Sequence, residues 1–233
     1  MRGVPLQLDK FINIKDVRKL IWQRLDDIDR EVIRCAHNLR RPVFVTFRLD
    51  VIAGRGHLNL AKWARANGAD WTTRICAASA EGGHLDVLQW ARVNNCPWDK
   101  RTCSWAAYGG HLDVLKWARE NDAPWNLWTC AYAAKGGHLE TLQWAHANGA
   151  HCNIWTCAYA ARNGHLETLQ WASANGTPWD EHTCSYAARG GHLTILQWAR
   201  ANGAPWDTWT CRGAIKCGHV DILEWARENG APE

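Results

Sequence analysis

No stretch of this 233-residue chain is long, apolar and uncharged enough to suggest a membrane span, which as a helix needs about 20 such residues. The opening residues Met1-Arg2-Gly3-Val4-Pro5 lack the continuous apolar run of a secretory signal. With 47% hydrophobic residues, the composition is that of a folded protein rather than a disordered one, and a cytoplasmic location is expected. Ten cysteines are present, yet no close Cys-x-x-Cys pair occurs among them, so the usual framework of a structural zinc site is missing. Net charge is missing from most of the chain as well. Residues 1–44 hold ten Lys/Arg and six Asp/Glu, which accounts for the whole formal charge of +4. The remainder is neutral, and a neutral surface is a poor nonspecific binder of nucleic acid. Neither a membrane nor nucleic acid is an expected partner, and no metal or cofactor is expected.

What is present is a beat of 27 residues. His57, His84, His111, His138, His165, His192 and His219 keep it. So do Trp63, Trp90, Trp117, Trp144, Trp171, Trp198 and Trp225, six places further on. A fixed period in this range marks a stack of one supersecondary unit. Cys76, Cys103, Cys130, Cys157, Cys184 and Cys211 keep the same step. Equivalent positions in stacked helical units lie about 8–10 Å apart, beyond the reach of a disulfide. The periodic cysteines are therefore expected as buried thiols, which behave as small apolar residues.

The copy from Trp179 to Pro205 shows how one unit folds. The residue after its first Trp is Thr72, Asp99, Asn126, Asn153, Asp180 or Asp207 in successive copies, each able to cap a helix N-terminus. A first helix is predicted from there to Arg189, ended by Gly190-Gly191, with Cys184, Ala187 and Ala188 as its buried stripe. A second helix is predicted over about 193–202, its apolar face made by Leu193, Ile195, Leu196, Trp198 and Ala199. The periodic Trp is expected mostly in the core. The periodic His, placed after Gly at the start of that helix, is expected to bond the backbone of the turn. Each unit is thus a helix–turn–helix hairpin that buries its faces only by stacking. No titratable column accompanies the His, so no catalytic residue is expected.

The run Ala133-Ala134-Lys135-Gly136-Gly137-His138-Leu139-Glu140-Thr141-Leu142, followed by Asn148-Gly149-Ala150, resembles the ankyrin-repeat pattern. The resemblance covers residues 45–233, about seven units, and implies an all-α ankyrin-type helix–turn–helix solenoid that binds protein without being an enzyme. Ankyrin units have about 33 residues; the missing six fall where the family has β-hairpin fingers, so the fingers are expected to be absent. The Thr-Pro-Leu-His motif of the family is also absent. The short, Trp-rich form is similar to arrays of giant DNA viruses of amoebae and of some protists and algae, which for a viral protein implies the host cytoplasm. The first unit is degenerate, with Val45 for the cap and Leu49 for the Cys. Unit four has His151-Cys152 in place of Pro-Trp.

Columns that vary can select a partner. Two residues before each periodic Cys stand Arg74, Arg101, Trp128, Trp155, His182 and Trp209; seven residues later come Glu81, Tyr108, Lys135, Arg162, Arg189 and Lys216. Offsets of 0, 3 and 7 share a helix face. The residue between them is small in most copies (Ser104, Ala131, Ala158, Ser185), and this face is expected to lie opposite the Cys/Ala stripe. In an ankyrin-like stack the first helices line the concave side, so aromatic and basic rows would run together over the last four units. The candidate partner-binding residues are Arg101, Tyr108, Trp128, Lys135, Trp155, Arg162, His182, Arg189, Trp209 and Lys216. Trp, Tyr and Arg are the types enriched in binding hot spots, and the expected ligand is an acidic protein or peptide. Packing of the same Trp rings on a neighbouring unit is the competing assignment.

Residues 1–44 lie outside the period and suggest two or three short helices. Asp16–Asp29 resembles part of an F-box, which implies docking to subunits of a cullin–RING ubiquitin ligase and a role as substrate adaptor. The alternative is an N-terminal cap that shields the first unit from water.

Overall fold

A 27-residue unit has room for two short helices and two turns, and seven such hairpins follow one another in the computed structural model, which describes residues 48–66 and 68–233. The segment 1–44, with its cap and F-box alternatives, and Val45 lie outside the described residues, as does the side chain of Trp63. The hairpins are α1 (Leu49–Gly54) with α2 (Leu58–Ala66), α3 (Thr73–Glu81) with α4 (Leu85–Val93), and α5 (Lys100–Gly109) with α6 (Leu112–Glu120). They continue with α7 (Trp128–Gly136) and α8 (Leu139–Ala147), α9 (Ile154–Arg162) and α10 (Leu166–Ala174), α11 (Glu181–Gly190) and α12 (Leu193–Ala201), and α13 (Thr208–Cys217) and α14 (Val220–Glu228). No strand occurs among the described residues, so the connectors carry no β-finger.

Five of the six cap residues bond the first turn or begin the helix as expected. Asp99, Asp180 and Asp207 accept from the backbone N–H two residues on, at 2.9–3.0 Å. Asn153 forms a full capping box with Thr156. Asn126 accepts from the Trp128 N–H at 3.2 Å, although its helix starts one residue later than the others. Thr72 is the exception: it has the extended cap conformation, but its hydroxyl makes no cap bond.

The first helices pack directly on one another along the stack, whereas successive second helices barely touch. Small side chains permit that closeness. Cys103, Cys130, Cys157 and Cys184, with the Ala pair of each helix, are completely buried, and burial pushes the thiols of Cys103, Cys157 and Cys184 up to about 12. The column Ser104, Ala131, Ala158, Ser185 is buried too, which corrects its placement on an open face. It is small because the adjoining first helix lies against it.

In the second helices the buried trio is Ile195, Leu196 and Ala199 and its equivalents, while Leu193 is only half-buried. The periodic Trp is a further correction. From Trp90 to Trp225 each described ring is half-buried, because it leaves the core to meet a connector. Trp90, Trp117, Trp144, Trp198 and Trp225 each face a connector Trp at 5.2–6.2 Å between ring centroids. Arg65, Arg92, Arg119 and Arg200 of the preceding unit lie over the connector ring at 4.1–5.2 Å. The same guanidiniums donate to the carbonyl two residues before that Trp. An Arg–Trp–Trp clamp therefore fixes the connectors at Trp71, Trp98, Trp125 and Trp206, where a cation over a ring contributes about 0.5–1 kcal/mol at exposed sites. At Trp179 the ring pair stands beside Ser173 in the Arg column.

The periodic His also acts between units. His165 Nε2 lies 3.2 Å from the Lys135 carbonyl, and His192 Nε2 lies 3.1 Å from that of Arg162. A carbonyl only accepts, so the ring nitrogen carries the proton. Each ring lies against the second Gly of the unit before it: a Cβ on Gly137 would stand 2.5 Å from the His165 ring. A Cβ on Gly136 would stand 2.3 Å from the Tyr108 carbonyl. The first Gly is thus required by stacking, and the second, Gly137 at φ 76°, by the left-handed turn.

Candidate partner-binding face

Once the small column is buried, the next residue along the first helix becomes the visible one. That column is Trp105, Tyr132, Tyr159 and Tyr186, all half-buried. None of these four was among the candidates from sequence. An aromatic two residues after the periodic Cys in four consecutive copies was the available signal. The rings fill the space between the predicted columns. Trp105 touches Tyr108 and Tyr132 edge-on at 5.5 and 5.3 Å. Trp128 stacks on Trp155 at 6.4 Å and 28°, and Tyr159 stacks on Tyr186 at 6.2 Å and 15°. Trp155 also meets His182 at 5.1 Å. The result is a continuous aromatic ladder across α5, α7, α9 and α11, and burial within it pushes the Tyr159 phenol above its ordinary range.

Cations lie over the ladder. Lys135 sits 4.9 Å from the Tyr108 ring and 5.5 Å from Tyr132. Arg162 and Arg189 flank Tyr186 at 5.4 and 5.6 Å. At the far end Arg189 and Arg212 approach Trp209 at 5.9 and 5.4 Å. Gly213 stands where the three preceding units carry Tyr, and the Arg189 side chain occupies that room.

Eight of the ten sequence candidates join this strip or its margin in the same way, as half-buried or exposed groups on the first helices. Trp128 and Trp155 are half-buried and engaged with neighbouring units, whereas Trp209 is 52% exposed. Lys216 is exposed beyond it on α13. The other two are tied to cap residues, and His182 meets the ladder at Trp155 as well. Arg101 pairs with Asp99 at 2.8 Å and donates to Thr73, and His182 Nδ1 lies 3.0 Å from Asp180.

The arrangement has counterparts among known proteins. Residues 127–173 match the family model for ankyrin repeats. The crystal structure of the human ASB11 ankyrin repeat domain superposes with a TM-score of 0.54, over 76% of this chain and 96% of that one, at 16% identity. The fold is an ankyrin-type solenoid. No curated protein sequence matches this one. Ankyrin repeats are in general protein–protein interaction modules and typically not enzymes. No helix among the described residues is long and apolar enough to cross a membrane.

Proposed function

We propose that this ankyrin-type array binds an acidic protein or peptide on the face of its first helices, without catalysing a reaction. The observation that carries the proposal is the ladder of rings capped by Lys135, Arg162, Arg189 and Arg212 and ending in the half-exposed Trp209. Rings with one open face offer apolar area at low entropic cost, and the cations beside them favour carboxylates. The tighter spacing of the first helices supports a stack that bends toward them, with the ladder on its concave side. Many buried thiols support a reducing, cytoplasmic setting.

The test is capture of binding partners by the full chain and by a Trp128→Ala/Trp155→Ala/Trp209→Ala variant whose helicity is unchanged. Loss of the captured proteins with the variant is expected; an unchanged set overturns the proposal. Recruitment of a cullin–RING ubiquitin ligase through residues 1–44 is a further layer of the same proposal, suggested by the F-box resemblance alone. Co-purification of ligase subunits that disappears on deleting those residues tests it.

A further inference from the structure

One connector lacks both the Arg and the Trp of the clamp. Between units four and five, His146 stands in the Arg column, Cys152 in the connector Trp column, and His151 in place of Pro. The three substitutions meet in space. Cys152 Sγ lies 3.6 Å from His146 Nδ1, and the His146 ring meets Trp171 edge-on at 5.5 Å. A cleft of about 210 Å³ opens there, lined by His146, His151, Cys152 and Thr177. Cys152 is half-buried and lines the cleft.

Two further groups face the same sulfur. Thr177 is buried, with 7% of its surface exposed, and its hydroxyl has no hydrogen-bond partner of its own. It can donate to a thiolate at Cys152. Beneath lies Cys130, completely buried, whose thiol donates to the Ala150 carbonyl at 3.5 Å, two residues before Cys152, and interacts electrostatically with the Cys152 sulfur. No other described connector combines a half-exposed thiol, an imidazole and an unsatisfied hydroxyl.

We propose that Cys152 is a reactive thiol site for peroxides and other thiophilic electrophiles, with His146 as its base and Cys130 as the second sulfur. Cys152 passes its proton to His146, and the thiolate attacks one oxygen of a hydroperoxide. The S–O bond forms as the O–O bond breaks, and the imidazolium proton goes to the departing alkoxide. Cys130 then attacks the sulfenic sulfur; the S–S bond forms, the S–O bond breaks, and hydroxide leaves with the Cys130 proton as water. Two thiols are oxidised and one hydroperoxide is reduced, so the step balances. The thiol of Cys152 is held down at about 6, first by the neighbouring Cys130 thiol and then by His146. This fits the rule that reactive cysteines sit partly exposed beside basic groups.

Cys217 is exposed and serves as an internal reference. The full-length protein is treated with limiting iodoacetamide at pH 6.5, and labelling at each cysteine is followed by peptide mass spectrometry. Cys152 is expected to label about five-fold faster than Cys217. That ratio balances its larger thiolate fraction against the lower intrinsic nucleophilicity of a low-pKa thiol. The His146→Phe variant keeps the ring against Trp171 and is expected to abolish the advantage. Hydrogen peroxide should yield a Cys130–Cys152 linked peptide, and Cys130→Ser should instead leave a sulfenic acid at Cys152 that dimedone traps. Faster labelling of Cys217, or a Cys152 rate unchanged by His146→Phe, overturns the proposal. So does oxidation that leaves Cys152 unmodified.

Discussion

His165 donates its Nε2–H to the carbonyl of Lys135, 3.2 Å away and one unit earlier in the chain. The imidazole lies against Gly137 at the same time, so one side chain closes the seam between two hairpins. The next histidine does the same: His192 Nε2 lies 3.1 Å from the Arg162 carbonyl. The histidines that keep the 27-residue beat are thus stacking groups.

Burial holds His84, His138 and His165 below the ordinary histidine range, against the opposing pull of their carbonyl bonds. With the folded value below the unfolded 6.5, the unfolded chain binds the protons first as pH falls. The array is therefore expected to keep full stability above pH 6.5 and to lose it progressively below. Melting temperatures measured between pH 7.5 and 5 check this, and a constant melting temperature over that range would contradict it.

The Gly pairs separate two kinds of glycine requirement. Gly136→Ala places a methyl 2.3 Å from the Tyr108 carbonyl, a backbone clash that costs about 2 kcal/mol or more. Gly149→Ala meets no atom within 4 Å and suffers only from its φ of 89°, at about 1–2 kcal/mol. Urea denaturation should rank Gly136→Ala clearly below Gly149→Ala in stability.

The hydroxyls of Thr102, Thr129, Thr183 and Thr210 are buried without partners. Ile75 fills the equivalent place in α3 and is equally buried. Thr129→Val removes an unsatisfied polar atom while keeping the branched shape, so a gain of about 1 kcal/mol is expected. For a chain of this size that raises the melting temperature by about 2–4 °C, which calorimetry reads directly.

Trp209 lies between the guanidiniums of Arg189 and Arg212, yet half of it remains open. Replacing Arg189 with Ala removes a cation that also serves the Tyr186 ring. Partner affinity is expected to fall, with the remaining binding less sensitive to salt, because a charge facing an acidic ligand has gone. Titrations at 50 and 300 mM salt compare the two proteins.

The hairpin, its caps and its glycine stops were legible because each depends on local chemistry. Asp99, Asn153, Asp180 and Asp207 cap, and Gly191 ends its helix in the left-handed region, as their residue types require. Facing was less legible. Ser104 and Ala131 belong by helical spacing to an outward face, but the next first helix packs against them, a fact of stacking that no single helix contains. The same closeness brings Tyr132, Tyr159 and Tyr186 into view between the predicted columns. Trp117 and its equivalents looked like core because they repeat. They repeat instead because every connector Trp needs a partner ring, as Trp98 and Trp125 do. The pairing of His146 with Cys152 was hidden for a related reason: its members stand six residues apart across a turn.

The central claim is that the aromatic and cationic face of the first helices holds the partner. The most direct measurement is the dissociation constant of a captured partner for three proteins: the native chain, Trp209→Ala, and Gln143→Ala on the exposed side of α8. Trp209→Ala is expected to weaken binding about ten-fold or more, as loss of a hot-spot ring of 1.4 kcal/mol or above requires, with Gln143→Ala at the native value. Native affinity in Trp209→Ala together with a loss in Gln143→Ala would place the partner on the second helices and contradict the claim.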